Sequence, residues 1–486
     1  MRYNPPRMQT DSPQNPLYER YASPEMARLF SSRHRFRTWR RLWITLAESE
    51  RELGLPITPE QIDALKRTAG DADLDRVAEL ERRTRHDVVA HIRHYAEQAD
   101  QVHPGAGGII HLGATSAFIT DNTDVLLIRE ALELLAGRLA ATAGELAGFA
   151  RRTRAIPTLA YIHFQPAQLT TVGKRACLWL QDFLMDLAEV RHRLATLRCR
   201  GVKGTTGTQA SFLTLFQGDG GKVRELDRLF ARKLGFAESF PVTGQTYSRK
   251  QDSQVLQALA GIGETCHKFG TDLRLLQGVG ELSEPFDEEQ VGSSAMAYKR
   301  NPVRSERMCG LSRRLITDSL NGPLNTATQW LERSLDDSSN RRLVIPDAFL
   351  DADAVLLLAA HIAGGIVVRE ATIAGRVARE LPFMATETLL MEAALRGGDR
   401  QVLHERIRGY SFEAQSTLET KGGENPLIDL IVSDPDFRLT RPEVDPWLDP
   451  VAFTGRSASQ VDEFLDEVVA PALAGAEAAA IAAPRI

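Results

Sequence analysis

Three stretches of this chain repeat apolar residues at alternating spacings of four and three, and that beat limits the fold more than any other feature. After Val255 come Leu259, Ile262, Cys266, Phe269, Leu273 and Leu276; Leu180, Phe183, Leu187, Val190, Leu194 and Leu197 repeat the pattern, and Ile128, Leu132, Leu135, Leu139, Leu146 and Phe149 make a third stripe. A sustained period near 3.5 lays one apolar seam along a long helix that packs beside others at small crossing angles. Helices of roughly 25 to 30 residues are expected, about 40 Å long at 1.5 Å per residue. Seams of that length outgrow one compact domain, so a bundle shared between subunits is the natural way to cover them. The expected class is all-α, with no strand-period segment in the central region.

Breakers divide the rest. Pro104-Gly105-Ala106-Gly107-Gly108 ends an N-terminal helical portion, and Gly364-Gly365, with the stretch to Pro382, hands over to a C-terminal one. The division expected is 1–115, 116–368 and 369–486: three helical domains around the long-helix bundle. The Ala-rich residues 473–484 read as a fraying last helix.

Composition excludes several classes of function. With 25% charged residues and a formal net charge of -5, the chain is an ordinary globular protein with no general affinity for polyanions, so no nucleic acid partner is expected. The basic stretch Arg33 to Arg41 is the local exception. It reads as a solvated helix face with Phe36, Trp39 and Trp43 turned to the core. Cys177, Cys199, Cys266 and Cys309 lie far apart with no CxxC pair, which is neither a disulfide framework nor a zinc spacing and suits a reducing compartment. No apolar run reaches transmembrane length and the N-terminus lacks an apolar leader, so a cytoplasmic protein is expected. His86, His91 and His94 invite a metal reading. Residues five apart on a helix point about 140° away from each other, however, and no carboxylate or cysteine completes a ligand set, so no metal is expected.

The segment with the most chemistry is Gly292-Ser293-Ser294-Ala295-Met296-Ala297-Tyr298-Lys299-Arg300-Asn301-Pro302. Glycine, two serines and Asn-Pro mark a loop. Lys299 and Arg300 beside two hydroxyls offer cations for a substrate carboxylate or an alkoxide. Spacing alone leaves a surface turn with incidental charge equally open.

This loop resembles the signature of the fumarase/aspartase superfamily, Ser-Ser-x-Met-Pro-x-Lys-x-Asn-Pro, with Ala297 where the proline is customary. Two further segments match in order: His111-Leu112-Gly113-Ala114-Thr115-Ser116, and Thr158 to Gln168, which contains His163-Phe164-Gln165-Pro166. Within the superfamily, Arg20 to Met26, Arg85-His86-Asp87, Lys203 to Gln209 and Leu335 to Arg342 look like the longer, animal-type branch of the adenylosuccinate lyase family. The resemblance runs from about residue 17 to 470.

That resemblance implies β-elimination of fumarate from adenylosuccinate to give AMP, and from the succinyl-aminoimidazole carboxamide ribotide to give its aminoimidazole carboxamide counterpart, with no cofactor. It implies Ser293 as base, His163 as acid, Lys299 in support and His86 as a second histidine at the site. It assigns Arg20, Tyr21, Arg333, Ser338 and Arg342 to the nucleotide; Arg85, His86, Asp87, Gln245 and Arg307 to further binding positions; and Thr115 and Ser116 to the departing fumarate. The Gly204 to Gln209 turn offers backbone N–H groups suited to a carboxylate. The family builds each site from three subunits of a homotetramer. The competing readings are another lyase of the superfamily, such as argininosuccinate lyase, for which Arg20, Arg333 and Arg342 would lack a phosphate, and a non-catalytic structural protein on the same scaffold, against which both His163 and Ser293 speak.

Ala297 generates the first prediction. Proline would fix φ in the loop and lower its freedom. Ala297→Pro is therefore expected to change kinetic constants modestly and to leave turnover intact; an assembled but inactive variant would contradict this.

Overall fold

The computed structural model describes residues 15–475 apart from 71, 288 and 297. Ala297 and the Ala-rich stretch beyond Gly475 thus lie outside the described residues.

Helix α1 spans Ser32–Glu52, started by the Ser31 hydroxyl, which accepts the His34 amide at 3.3 Å. Helix α2 spans Asp87–Val102. Then come the bundle helices: α3 (Ser116–Arg152, 37 residues), α4 (Val172–Thr196, 25), α5 (Lys250–Gly278, 29), α6 (Val303–Asp318, 16) and α7 (Asp336–Gly365, 30). Helix α3 packs on α4 and α7, and α5 on α4, α6 and α7. The expected seams are the contact surfaces. Leu259, Ile262, Cys266, Phe269 and Leu273 are buried on α5, Leu180, Phe183, Leu187 and Val190 on α4, and Ile128, Leu132, Leu135 and Leu139 on α3. Helices α5 and α6 approach so closely that a Cβ on Gly270 would sit 2.8 Å from the Cys309 sulfur.

Two expectations need correction. The segment joining α3 to α4 is an antiparallel hairpin, β1 (Pro157–Ile162) with β2 (Gln165–Thr171), inside the region expected to be wholly helical. Its signal is weak because alternation fails: Thr158 and Leu159 are adjacent and both buried. A second, two-residue pair joins β3 (Leu282–Ser283) to β4 (Val367–Val368) just after α7, before helix α8 (Glu370–Met384). Nor is the Arg33–Arg41 face wholly solvated. Trp39 and Trp43 are buried as expected, but so is Arg40, which donates to the Thr68 carbonyl and, at 2.7 Å, to Gln98, with its guanidinium 4.5 Å above the Tyr95 ring.

One apolar core joins the N-terminal helices to the bundle, and a smaller one runs from Ala385 to Val444. All four cysteines are free. Among the described residues no helix is long and apolar enough to cross a membrane, and no three His, Cys, Asp or Glu side chains cluster as metal ligands. The His91 ring lies 3.9 Å from that of Phe36, and His94 Nε2 accepts the Asp73 amide at 3.0 Å.

The N-terminal ends of α3, α5 and α7 meet over a buried charge network. Arg249 donates to Asp337 at 2.6 Å and to both oxygens of Asp121 at 3.1 and 3.2 Å. Arg341 donates to Asp252 at 2.7 Å and to the Tyr247 hydroxyl at 2.9 Å, and lies 3.1 Å from Asp124. Removing one partner of such a set leaves uncompensated buried charge, so Arg249→Met is expected to cost about 3–5 kcal/mol. A clearly lower urea midpoint checks this; an unchanged midpoint contradicts it.

Candidate active site

The ends of three elements form the first cluster. Arg85 closes a helix in the left-handed conformation (φ 54°) and turns the chain so that His86 precedes α2 with extended backbone. His86 Nε2 lies 3.2 Å from the Ser116 hydroxyl and Nδ1 3.5 Å from Asp87. Asp87 in turn accepts Arg342 Nη2, from the second turn of α7, at 2.8 Å. Burial opposes ionisation of Asp87, but the Arg342 and Val88 donors, with the charges of Arg342 and His86, outweigh it and hold its pKa below the usual value. Thr115 and Ser116 stand at the N-terminus of the 37-residue α3, whose first amides receive no side-chain cap. Free amides and the helix dipole there favour an anion.

His111 went unassigned from sequence although its segment was singled out. Its Nδ1 accepts the Trp43 indole at 2.9 Å, which leaves Nε2 to carry the proton of the neutral ring. Burial, then the nearby charge of His86, lowers its pKa to about 4.

A second group carries cations. Arg20 and Tyr21 end a short turn, Leu17–Tyr21, and the Arg307 guanidinium lies 5.8 Å from the Tyr21 ring centroid. Hydrogen bonds from Tyr18 to Asp347 (3.4 Å) and from the Ser23 amide to Asp353 (2.6 Å) fasten this segment to α7. A third group pairs Arg333 with Gln245 at 2.9 Å, and buried Arg200 holds the Gln245 carbonyl at 2.7 Å. Ser338 lies in the first turn of α7.

The Gly204–Gln209 turn is more constrained than a free nest. Gly207 adopts φ 82°, and a Cβ there would fall 1.8 Å from the Thr243 carbonyl oxygen. The Gln209 amide is already bonded to the Lys203 carbonyl at 2.9 Å, so it does not wait for a carboxylate.

His163 occupies the tip of the β1–β2 hairpin. The two-residue connection His163-Phe164 has φ of 53° and 59°, the left-handed pair that a tight hairpin turn demands and that Asn-Gly normally supplies. A non-glycine residue in that region costs roughly 1–2 kcal/mol. Of the eight non-glycine residues with positive φ among the described residues, Arg85, His111, His163, Phe164 and Gln209 fall in the segments singled out from sequence, and Gln217, Leu331 and Arg438 lie outside them. Strain of this kind gathers where surrounding structure enforces a functional geometry.

The 292–302 loop shapes the last group. Its neck is tied by Asn301 Nδ2 on the Gly292 carbonyl at 2.9 Å. Within it the Ser293 hydroxyl oxygen accepts the amides of Ala295 (3.3 Å) and Met296 (3.1 Å). Lys299 is exposed, its amide on the Met296 carbonyl at 3.1 Å. Two N–H donors on one oxygen are what a serine alkoxide needs.

Within one chain, then, His86, Asp87, Ser116 and Arg342 come together, as do Arg20, Tyr21 and Arg307, and Gln245 with Arg333. Among the described residues no hydrogen bond, ion pair or ring contact joins His163, Ser293 or Lys299 to one another or to these groups.

Against this geometry, the comparisons with known proteins agree. A family model described as "Lyase" matches residues 19–317, and one described as "Adenylosuccinate lyase C-terminus" matches 382–464. An adenylosuccinate lyase of Schizosaccharomyces pombe is 49% identical over 94% of this chain and 95% of its own length. That of Saccharomyces cerevisiae is 46% identical, over 95% and 96%. That of Schistosoma mansoni is 45% identical, over 94% and 95%. In fold, a fumarate lyase from Mesorhizobium sp. BNC1 superimposes with a TM-score of 0.77 at 22% identity, over 93% of this chain and 98% of that one. A 3-carboxy-cis,cis-muconate lactonizing enzyme from Pseudomonas putida gives 0.80 at 21% identity, over 93% and 99%. With its helical bundle, ordered motifs and near full-length identity, the chain belongs to the adenylosuccinate lyase family.

Proposed function

We propose that this chain is a carbon–nitrogen lyase that eliminates fumarate from adenylosuccinate to give AMP, and from the succinyl-aminoimidazole carboxamide ribotide in the same biosynthetic chemistry. The hard step removes a carbon-bound proton beside a carboxylate, which thereby gains a second negative charge. Ser293 takes that proton. The observation that supports this most is the pair of amides on its oxygen: donors already in place lower the cost of the alkoxide without reorganisation during the reaction. Lys299 adds a positive charge, and Thr115 and Ser116 at the α3 N-terminus receive the carboxylates of the departing fumarate.

His163 protonates the leaving nitrogen, a task suited to an imidazole near neutral pH. His86, aligned by Ser116 and Asp87, positions the substrate with Arg85 and Gln245. Arg20, Tyr21, Arg307, Arg333, Ser338 and Arg342 hold the nucleotide, the arginines matching a phosphate with paired donors.

Among the described residues no contact joins the acid, base and nucleotide groups within one chain, which supports a homotetramer whose sites each draw on several subunits. The apolar surface beside Arg333 supports the same reading, with Trp330 70% and Leu331 98% exposed in the single chain. A cytoplasmic location fits four free thiols.

Fumarate release from adenylosuccinate, followed by absorbance, tests the reading; no turnover from an assembled enzyme would overturn it. Ser293→Ala and His163→Ala are expected to keep the oligomer and lower kcat by about 10²–10⁴-fold. A variant with near-normal turnover loses its residue from the assigned role. Arg342→Gln removes a charged contact to the phosphate worth about 1.5–3 kcal/mol, so KM is expected to rise roughly 10- to 100-fold while kcat changes less. An unaltered KM would place the phosphate elsewhere.

A further inference from the structure

The hairpin tip is poorly held by its own strands. The register shifts between Ala160 and Tyr161, and beyond that bulge the pairs are Tyr161 with Pro166 and Ile162 with Gln165. Proline has no N–H, so the ladder is weakest next to the turn. Among the described residues no side chain from 162 to 166 makes a hydrogen bond, and Ile162 to Gln165 are exposed. Yet His163 and Phe164 keep a strained conformation that something must enforce.

The nearest anchor is Tyr161. Its hydroxyl donates to the carboxylate of Glu281, a residue with no solvent exposure, and its ring centroid lies 5.4 Å from that of Phe164. The Glu281 carboxylate gathers three elements. Thr158 on β1 donates to its Oε2 at 3.2 Å, Arg376 on α8 donates to Oε1 at 3.1 Å, and Arg175 on α4 lies 3.6 Å from Oε2. Arg376 also reaches the Tyr161 oxygen at 3.3 Å, and the Glu281 carbonyl accepts the Arg369 amide at 2.9 Å, just before α8. Glu281 itself abuts β3, which leads into the 292–302 loop. One buried carboxylate therefore fixes Tyr161, Tyr161 backs Phe164, and Phe164 is the other half of the turn that presents His163.

We propose that Glu281 is a positioning residue for the elimination, acting through Tyr161 to set the orientation of the His163 imidazole. The proposal rests on the assignment of His163 as the acid. It differs from a purely structural role in what it moves. Misplacing an acid by about an ångström lowers the chemical step as much as 10²-fold, whereas the nucleotide contacts stay where they were.

Tyr161→Phe keeps the ring against Phe164 and removes the hydroxyl's bonds to Glu281 and Arg376; Glu281→Gln keeps the volume and removes the charge. In the assembled enzyme both are expected to lower kcat about 10- to 100-fold while KM for adenylosuccinate stays within about two-fold. In a His163→Ala background neither is expected to lower the residual turnover further, because the group they orient is gone. If Glu281→Gln fails to assemble, Tyr161→Phe alone decides. Normal kcat in Tyr161→Phe, a rise confined to KM, or losses that multiply with an inactive His163→Ala overturn the positioning role and leave the lyase reading standing. A fully active His163→Ala overturns the acid assignment and this proposal with it.

Discussion

The architecture depends on burying three aspartates and two arginines together, with a half-buried fourth aspartate, Asp124, at their edge. Asp121 and Asp124 on α3, Asp252 on α5 and Asp337 on α7 surround Arg249 and Arg341, with the Tyr247 hydroxyl among them. Apolar seams alone would let long helices slide along or rotate about one another. Charges that must each find a partner at about 2.6–3.2 Å forbid it. This lock sits at the ends of the helices that carry Ser116, Ser338 and Arg342, with Gln245 in the loop just ahead of α5. The same desolvation that makes it costly to break keeps these residues in register.

Much of this was legible in the sequence and some was not, for definite reasons. The seams were readable because a helix buries every third or fourth residue, and Leu132 or Phe269 can be counted without knowing the partner. The hairpin escaped because its logic is not alternation: Thr158 and Tyr161 point to one buried carboxylate more than a hundred residues away, and the turn uses His-Phe where Gly or Asn would announce it. Arg40 escaped because a buried arginine looks like a solvated one until the Thr68 carbonyl and Gln98 arrive from other elements. Of the site, the motif residues were found as strings, whereas the links between strings, such as Asp87 to Arg342 across 255 positions, exist only in space.

Distribution of the site along the chain has a chemical rationale. An acid and an alkoxide adjacent in one chain would neutralise each other by proton transfer before substrate arrived. Here His163 stands on a strained tip while Ser293 is held by its own loop amides, and no contact among the described residues joins them. In the assembly proposed above, the two meet only across a bound ligand.

The base of the 292–302 loop is firmly held. Its stem is immobilised: buried Glu284 accepts the amides of Arg304 (3.0 Å) and Ser305 (2.8 Å) and the Ser305 hydroxyl (2.7 Å), while Arg304 grips the Pro285 carbonyl, Gln290 and Asp287. Above it, the Asn301–Gly292 tie closes the neck, and among the described residues the side-chain bonds of Ser293 run to Ala295 and Met296. Rotation of the loop as one body about that neck would carry the hydroxyl toward a ligand with both amide donors still in place. Closure would then change what surrounds Ser293, replacing water by substrate, while leaving unchanged the two donors that stabilise its charge. On the reading proposed above, removal of water would strengthen those same donors and make Ser293 a competent base only once the substrate is there to be deprotonated.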